Sequence, residues 1–328
     1  MLRRILLVLV TFVLIIIFSA CTQLQEPKTL RVGLNDWLGY AIAIYAKEAK
    51  LFEKHGIKVD LVEFSNQQDN IRATIRGSQD MSFVTLWEVM QVDPSNDRPV
   101  VILVSDISHG SDGIVTRKGI NSLEDLKGKK VGAKLGTVAH LILLEALKSA
   151  QLKPEDIEIV SVSNEKGAEL LKSQAIDAAV MWQPLLSKTQ VATDGKIIFT
   201  TEDVDSLVLD TLVTGAKNLA LNKKNLAKFI AAWFDAIQDV EATPDKVFNI
   251  IATQIGETKE SVSNGYKGII KGNIALNKRM FAMDGRLKQS IQEIKMLLQE
   301  DLRHSKIIRD DVDVNAEPLM MALEGLRP

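Results

Sequence analysis

Short apolar runs alternate with amphipathic segments over about the first two thirds of the chain. Residues 30–34, 100–105 and 178–181 are runs of this kind, bounded by polar or glycine-containing stretches, which is typical of buried strands. Between such runs apolar residues recur at helical spacing, as they do over residues 139–150. From Asn222, which is expected to cap a long helix, the pattern is helical, with charged faces that should be exposed to solvent. The alternation predicts an α/β fold whose sheets are flanked by helices.

The composition is that of an ordinary globular protein with enough apolar residues for two lobes. Of 328 residues, 46% are hydrophobic and 25% are charged. The formal net charge of −2 leaves no basic footprint, so nucleic acid is not expected as a partner. A single cysteine and four scattered histidines exclude a disulfide framework and disfavour a metal site. The sequence contains no nucleotide-binding glycine pattern, and no cofactor is predicted.

The first residues carry the features of a bacterial export signal. Arg3 and Arg4 precede an apolar run over residues 5–18, which is shorter than the roughly 20 residues that a membrane crossing needs. The following FSAC resembles a lipobox, in which the cysteine, here Cys21, is lipidated and begins the mature chain. Residues 1–21 would then be signal peptide and lipidated cysteine, and residues 22–29 a tether. The alternative is an uncleaved anchor helix; both place the remaining chain outside the cytoplasm, attached to a membrane.

Aromatic and polar residues follow the ends of two predicted strands in the first half of the chain. The loop after the first strand contains Asn35, Trp37, Gly39 and Tyr40, and Thr85 ends a later strand. Because ligands of open α/β sheets bind beyond the carboxyl ends of the strands, these five residues are candidates for contact with a ligand. The competing interpretation of Trp37 is a cap on the hydrophobic core.

A glycine corner joins a predicted strand to a helix at Gly136 and Thr137. Exposed backbone N–H groups and the positive end of the helix dipole suit a small polar or anionic group. Gly136, Thr137 and the nearby His140 are therefore candidates for the site. Many corners of this type bind nothing, and the corner by itself leaves that alternative open.

Trp182 ends another predicted strand, directly before Gln183 and Pro184. Since the residue before proline is disfavoured from helix, the extended segment should end at Gln183 and the next helix should begin at Pro184. That geometry presents the indole of Trp182 to a cleft, where it can stack on a flat solute or lie beside a cation. Core packing is the alternative.

Two aspartates lie where the chain is expected to pass between lobes. Asp112 follows a run of small residues, and Asp210 interrupts an apolar strand. Each is a candidate hinge and contact residue, although turn formation is an alternative for Asp112. A buried carboxylate needs a partner, so Asp210 should meet either the solute or backbone N–H groups. Asp106 and His109 are expected to be structural.

Five stretches of the sequence together form a recognisable pattern. They are GLNDWLGY (33–40), AKLFEKHGIKVDLV (49–62), SHGSDGIVTRKGINSLEDLKGKKVG (108–132), GTVAHLILLEAL (136–147) and DAAVMWQP (177–184). In these stretches the sequence resembles the substrate-binding proteins of ABC importers, specifically the nitrate/sulfonate/taurine and thiamine-precursor group. The resemblance covers residues 30–215 and extends loosely into the helical C-terminal part.

This resemblance implies a two-lobed periplasmic-binding-protein fold of type II, in which each lobe is a mixed sheet flanked by helices. Lobe 1 would comprise residues 30–112 and 209–328, and lobe 2 residues 113–208, with two crossover hinges. The implied partners are a small-molecule solute and the permease and ATPase subunits of an ABC transporter. The implied location is extracytoplasmic, in the periplasm or on the outer face of the cell membrane, and a monomer is expected.

Three functions are compatible with these features. The first is a lipid-anchored solute receptor of an ABC importer, which closes on its solute about the two hinges. The second is a sensory subunit that signals to a membrane receptor. The third is an enzyme on the same fold, similar to thiamine-precursor synthases, for which His140 with Asp112 or Asp210 would have to supply the chemistry.

The sequence gives conflicting indications about the charge of the solute. Helix N-termini at the two loop corners favour a carboxylate or sulfonate. Asp112, Asp210 and the three aromatic residues Trp37, Tyr40 and Trp182 favour an amine or another cation. No arginine falls at a predicted cleft position, which argues against a simple oxyanion site. A zwitterion or a neutral polar solute would satisfy both sets of groups.

Overall fold

The computed structural model of the protein describes residues 29–94, 96–204, 208–300 and 307–326. The predicted signal segment, Cys21 and the tether up to residue 28 lie outside the described residues. Of the helices described, none combines the length and the apolar character that crossing a lipid bilayer requires.

Strands and helices alternate from residue 30 to residue 215, and helices dominate from there on. The strands are β1 (Leu30–Leu34), β2 (Val59–Glu63), β3 (Met81–Thr85), β4 (Pro99–Ser108), β5 (Asp112–Thr116), β6 (Lys130–Gly132), β7 (Glu158–Val160), β8 (Ala178–Trp182), β9 (Ile197–Thr200), β10 (Leu209–Gly215), β11 (Ile269–Lys271) and β12 (Asp313–Val314). The α-helices are α1 (Ala41–Glu48), α2 (Leu51–Lys54), α3 (Gln67–Ile75), α4 (Leu86–Val89), α5 (Val138–Ser149), α6 (Asn164–Lys172), α7 (Leu185–Thr193), α8 (Ala216–Ala242), α9 (Pro244–Ile255), α10 (Lys259–Tyr266), α11 (Ile274–Met280), α12 (Arg286–Glu300) and α13 (Glu317–Gly325). Short 3-10 helices lie at Leu38–Tyr40, Glu124–Leu126, Pro154–Asp156 and Thr201–Asp203.

The described strands form two mixed sheets. The first has the order β11-β4-β10-β3-β1-β2, with β12 also paired to β4, and the second has the order β7-β6-β8-β5-β9. The chain enters the second sheet between β4 and β5 and returns to the first between β9 and β10. Every residue of β3, β4 and β10 is buried, as expected for central strands covered on both faces. Two mixed sheets flanked by helices confirm the predicted fold class.

An aromatic cluster in the first sheet's core supports the loop that follows β1. The ring of Tyr40 stacks on Phe83 with centroids 5.2 Å apart, and Phe83 lies 5.2 Å from Trp233 of α8. Trp233 is 1% exposed and donates its indole N–H to the Gly272 carbonyl at 3.2 Å. These contacts anchor the loop from below, so that its polar residues are held at the sheet edge.

The helix predicted after Gly136 and Thr137 is α5. Gly136 has φ +79°, a left-handed conformation that a residue with a Cβ adopts only at a cost. Thr137 has extended dihedrals at the N-cap, and the helix then runs from Val138 with nine buried residues among its twelve. The corner therefore directs the first turn of α5 toward the first sheet.

Two features after β9 add detail to the sequence pattern. Asn222 has non-helical dihedrals, φ −122° and ψ 16°, and marks a kink in α8 at which two helical segments meet, so a helical segment does follow it up to Ala242, as predicted. Its side-chain amide donates to the Asn218 side chain at 2.6 Å, one turn earlier. Strand β10 continues through Asp210 and Thr211, with a shift in pairing register between them.

Candidate functional site

A pocket of about 230 Å³ lies between the two sheets, at the carboxyl ends of strands from both. The segments after β1 and β2, together with α4, supply one wall, and the segments after β6, β7 and β8 supply the other. Ligand sites of open α/β sheets form at such strand ends. The lining residues are Asn35, Asp36, Glu63, Phe64, Ser65, Asn66, Gln67, Glu88, Lys134, Thr137, Val138, Ser163, Asn164, Glu165 and Trp182.

A narrow space continues inward from this main pocket, and we call it the inner extension. It shares Asn35, Gln67, Val138 and Trp182 with the main pocket. The volume of about 10 Å³ offers room for roughly one water-sized group. The lining residues of the inner extension are Asn35, Trp37, Gln67, Thr85, Asp112, Val138, Trp182, Val208 and Asp210.

Most of the predicted contact residues lie at these two spaces. Asn35 and Trp182 line both the main pocket and the extension, and Thr137 lines the main pocket. Four further predicted residues line the inner extension without reaching the main pocket, and they are Trp37, Thr85, Asp112 and Asp210. Their role in binding a solute stays a prediction, and the geometry brings them together as that prediction requires.

Tyr40 and Gly39 lie behind the pocket wall, not in it. Tyr40 is fully buried, and its hydroxyl donates to the Asp210 carboxylate. A Cβ on Gly39 would lie 2.4 Å from the Oδ2 of Asp106 and 2.5 Å from the Nε1 of Trp37. Glycine is therefore required there so that the Trp37 ring and the Asp106 carboxyl can pack against the loop.

Gly136 and His140 also support the wall from behind. The Gly136 carbonyl accepts hydrogen bonds from the side-chain amides of Gln68 and Gln91, both at 3.2 Å. His140 is fully buried, lies edge-on to Trp87 at 6.4 Å between ring centroids, and accepts the Gly136 N–H at 3.5 Å. Both residues hold the corner in place, and neither lines the main pocket or the inner extension.

Glu88 occupies the helix N-terminus at which the sequence predicts an anionic ligand. The backbone N–H of Val138, at the start of α5, donates to the Glu88 Oε1 at 3.0 Å, and the Thr85 hydroxyl donates to the Oε2. Glu88 is 2% exposed, and burial raises the pKa of its carboxyl to about 8 against these hydrogen bonds. The corner therefore binds a carboxyl group that the protein itself supplies from the other wall.

Asp106 and Asp210 form a buried pair of acids beneath the inner extension. They are opposite each other in the register of β4 and β10, and both are 1% exposed. The Trp37 indole N–H donates to Asp106 at 2.9 Å, and Tyr40 donates to Asp210. Burial raises the pKa of both carboxyls, and the charge of Asp106 raises that of Asp210 further. The partners of Asp210 are thus side chains, whereas the sequence suggested backbone N–H groups or solute.

Trp182 closes the main pocket from the second sheet. Its indole lines both the main pocket and the inner extension, and Asp36, which is exposed, lines the main pocket at the rim of the first wall. In the pairing of β5 with β8, Trp182 is opposite Asp112. The ring therefore spans from the inner extension to the rim, in position to cover a bound molecule.

Sequence reasoning missed several polar side chains of the pocket. Each of them lies within five residues of the carboxyl end of a strand, so the same rule that found Trp182 could have found them. They are Asp36, Glu63, Gln67, Glu88, Lys134, Asn164 and Glu165. Within the described ranges, no group of three or more His, Cys, Asp or Glu side chains is placed to hold a metal ion.

A comparison of the sequence with models of protein families gives a match that covers most of the residues lining the pocket. A family model described as NMT1/THI5 like matches residues 38–247, which is more than half of the chain. The chain belongs to the NMT1/THI5-like family. The predicted resemblance to substrate-binding proteins of ABC importers is confirmed by the relatives that this family member matches.

Relatives and solved structures of similar fold cover most of the family member's length. The taurine-binding periplasmic protein of Escherichia coli (strain K12) is 26% identical over 277 residues, which is 81% of this chain and 83% of that protein. The crystal structure of the periplasmic aliphatic sulphonate binding protein SsuA from Escherichia coli aligns with a TM-score of 0.72 at 19% identity, covering 86% of this chain and 95% of that one. The desulfurization enzyme DSZB aligns with a TM-score of 0.68 at 16% identity, covering 91% and 99%. Both structural similarities show a shared fold.

Proposed function

We propose that the protein is an extracytoplasmic solute receptor of an ABC importer that captures a small organic solute between its lobes. The observation that carries the proposal is the pocket of about 230 Å³, whose two walls come from different sheets. The space is below the roughly 300–1,000 Å³ of drug-sized ligand sites, which favours a small metabolite. The relatives named as periplasmic binding proteins support the same function and an extracytoplasmic location.

Closure of the two lobes about the crossovers would trap the solute. We assign residues 30–112 and 209–328 to lobe 1 and residues 113–208 to lobe 2, with Asp112 and Asp210 at the hinges. Contacts from Gln68 and Gln91 of lobe 1 to Gly136 of lobe 2 would form only when the lobes approach. Because the pocket has walls on both lobes, a solute binds the closed form better and shifts the population toward it. The closed form would be the one that the permease and ATPase subunits recognise.

Trp182→Ala should weaken solute binding by at least tenfold. The indole covers the pocket and its extension, and truncation removes ring contact with any bound molecule. The measurement is a thermal-shift screen of the purified full-length protein in detergent against sulfonates, carboxylates, betaines, polyamines and pyrimidines. A solute near 100 times its dissociation constant stabilises the fold by about 2.7 kcal/mol, which moves the melting temperature by several degrees.

The matched control is Leu221→Ala, because Leu221 is 83% exposed on α8 and does not line the pocket. This variant should retain the full ligand-induced shift. A hit that is unchanged by Trp182→Ala would mean that the solute binds elsewhere. If no compound class shifts the melting temperature, the receptor function is wrong.

Cys21→Ser should abolish both the lipid on the protein and the removal of its first residues. We propose that Cys21 carries the lipid anchor, since it is the single cysteine and directly follows the apolar signal run. Labelling of the producing cells with a radioactive fatty acid and the apparent mass on an immunoblot measure the change, with wild type as the control. A wild-type protein that takes up no label and has the same mass as the variant would instead indicate the uncleaved anchor helix.

An enzymatic function finds little support in the pocket, although DSZB shows that an enzyme can adopt the fold. The histidine that would act as a base, His140, is fully buried behind the wall and bonded to the Gly136 N–H. Since a catalytic base must reach a proton on the substrate, we infer that the family member binds its solute without transforming it. Loss of solute import on deletion of the gene would separate the importer from a purely sensory subunit.

A further inference from the structure

The inner extension ends at a buried carboxyl oxygen that accepts no hydrogen bond from the described residues. Asp112 is 2% exposed and lines the extension, and its Oδ2 is the oxygen in question. A buried acceptor without a donor costs free energy on the scale of a lost hydrogen bond, and more if it is charged. An N–H or O–H donor that enters the extension would satisfy this oxygen.

The charge of the surroundings favours a cationic donor. Four acids lie at or directly beneath the extension, and they are Glu88, Asp106, Asp112 and Asp210. Among the described residues that line the main pocket or the extension, Lys134 is the one lysine or arginine, and it belongs to the main pocket. An anion placed in the extension would be repelled by whichever of these acids are ionised, whereas a cation would be attracted by them and would favour their ionised forms.

Two indole rings flank the same space. Trp37 and Trp182 both line the extension, and the Trp37 N–H donates to Asp106 at 2.9 Å. Because that N–H is engaged, Trp37 offers a guest its ring system, and the Trp182 ring lines the same space. A cation within about 6 Å of an indole face gains cation–π attraction, which an anion does not.

The main pocket also offers groups that suit an acceptor on the solute. Asn164 is 6% exposed, and its Nδ2 donates to no acceptor among the described residues. Lys134 lines the same space. A solute would therefore direct a donor inward to Asp112 and an acceptor, such as a hydroxyl or carbonyl oxygen, outward to Asn164.

We propose that the pocket recognises its solute through a protonated nitrogen, an ammonium group, which enters the inner extension and donates to Asp112. The proposal rests on the receptor function above and names the class of solute. It resolves the conflicting indications of the sequence in favour of the cation, because the predicted anion site at α5 is occupied by Glu88.

Solute binding should then depend on pH. Burial raises the pKa of Asp112 to about 7, so part of the population is neutral near neutrality and must lose a proton before it can pair with a cation. The other titratable groups that interact with it electrostatically are Glu88, Asp106 and Asp210. Lys134 acts on Glu88, and Tyr40 is bonded to Asp210. Between pH 6 and pH 8 the ionised fraction of one group with a pKa near 7 rises about tenfold, and the affinity for a cation should rise with it.

The test compares two probes that share an ethyl group and carry opposite charges, ethylammonium chloride and sodium ethanesulfonate. Each is titrated into the full-length protein at constant ionic strength, with the fluorescence of the tryptophans and the melting temperature as readouts. Ethylammonium should bind saturably at pH 8 and about tenfold more weakly at pH 6. Asp112→Asn, which preserves shape, should raise the dissociation constant of ethylammonium at least tenfold, and Lys134→Gln should leave it unchanged or lower it.

Asp60→Asn is the matched control, because Asp60 is exposed on β2 and lines neither space, so it should bind ethylammonium as wild type does. Saturable binding of ethanesulfonate that is lost in Lys134→Gln, without binding of ethylammonium, would overturn the cationic class and leave the receptor function intact. Equal binding of ethylammonium to wild type and Asp112→Asn would also overturn it. Failure of both probes, together with an empty thermal-shift screen, would instead remove the receptor function itself.

Discussion

Lowering the pH from 8.5 to 5.5 should stabilise the solute-free protein by several kcal/mol. Burial raises the pKa of Glu88 to about 8 and that of Asp112 to about 7, whereas both groups titrate near pH 4 in an unfolded chain. Burial also raises the pKa values of Asp106 and Asp210. Between the unfolded and the folded pKa the folded protein binds more protons, so its stability falls as the pH rises. Each group contributes roughly 1.4 kcal/mol for each pH unit in that window.

Carboxylates whose pKa is lowered in the folded protein do not change the pH dependence of stability between pH 5.5 and 8.5. A hydrogen bond from Arg309 lowers the pKa of Asp311, for example, so its stabilising effect is present above the unfolded pKa and is lost only as the pH falls below about 4. The measurement is urea unfolding of the full-length protein at pH 5.5, 7.0 and 8.5. If the urea concentration at half-unfolding stays constant or rises with pH, the acids of the pocket and its inner extension are ionised in the solute-free protein and their charges are stabilised by other groups.

Glu88→Gln and Asp112→Asn should each flatten the pH dependence. Glutamine keeps an oxygen that can accept the Val138 N–H, and asparagine keeps the shape of Asp112, so both variants remove mainly the titration. Asp60→Asn, on the exposed surface of β2, should retain the full slope. A saturating organic cation should also flatten the slope of the wild-type protein, since it stabilises the ionised acids.

The local sequence pattern was sufficient to predict the strand ends at which the pocket forms. A short apolar run followed by a polar or aromatic residue marks Thr85 and Trp182, and a glycine corner before an apolar helical face marks Thr137. These signals extend over a few residues, and the backbone periodicity that produces them is local. Tyr40 and His140 also lie next to predicted strand ends, but their side chains are buried in the core. Whether such a side chain faces the pocket or the core is decided by packing, which the local pattern does not show.

The chemistry of the inner extension could not be predicted in the same way. Glu88 and Val138 are fifty positions apart and belong to different lobes, and their hydrogen bond exists only after the sheets are placed together. The pairing of Asp106 with Asp210 depends on the register between β4 and β10, which are joined through the whole second sheet. Neither contact can be predicted from the spacing of residues along the chain.

Asp311→Ala should destabilise the protein by roughly 2–3 kcal/mol, far more than the loss of an ordinary surface carboxylate. Its partner Arg309 has a fully buried side chain, with Nε and Nη2 each 2.7 Å from a carboxylate oxygen of Asp311. Removing the carboxylate leaves a buried guanidinium whose remaining acceptors, among the residues that the structure describes, are the carbonyls of Asp93 and Asp97. Breaking a buried pair costs about 3–5 kcal/mol, and the half-exposed Asp311 side chain reduces that range through solvent screening.

The double variant Arg309→Met/Asp311→Ala should be more stable than Asp311→Ala alone. Methionine fills much of the space of the arginine stem without a charge to solvate, so the second substitution removes the cause of the first loss. Urea unfolding of wild type, both single variants and the double variant gives the coupling energy directly. Glu169→Ala provides the comparison, because Glu169 pairs with Lys166 on the exposed face of α6 and its removal should have little effect. If Asp311→Ala were as mild as Glu169→Ala, solvent would have to reach the guanidinium, and the C-terminal segment would not be fixed to lobe 1 through Arg309.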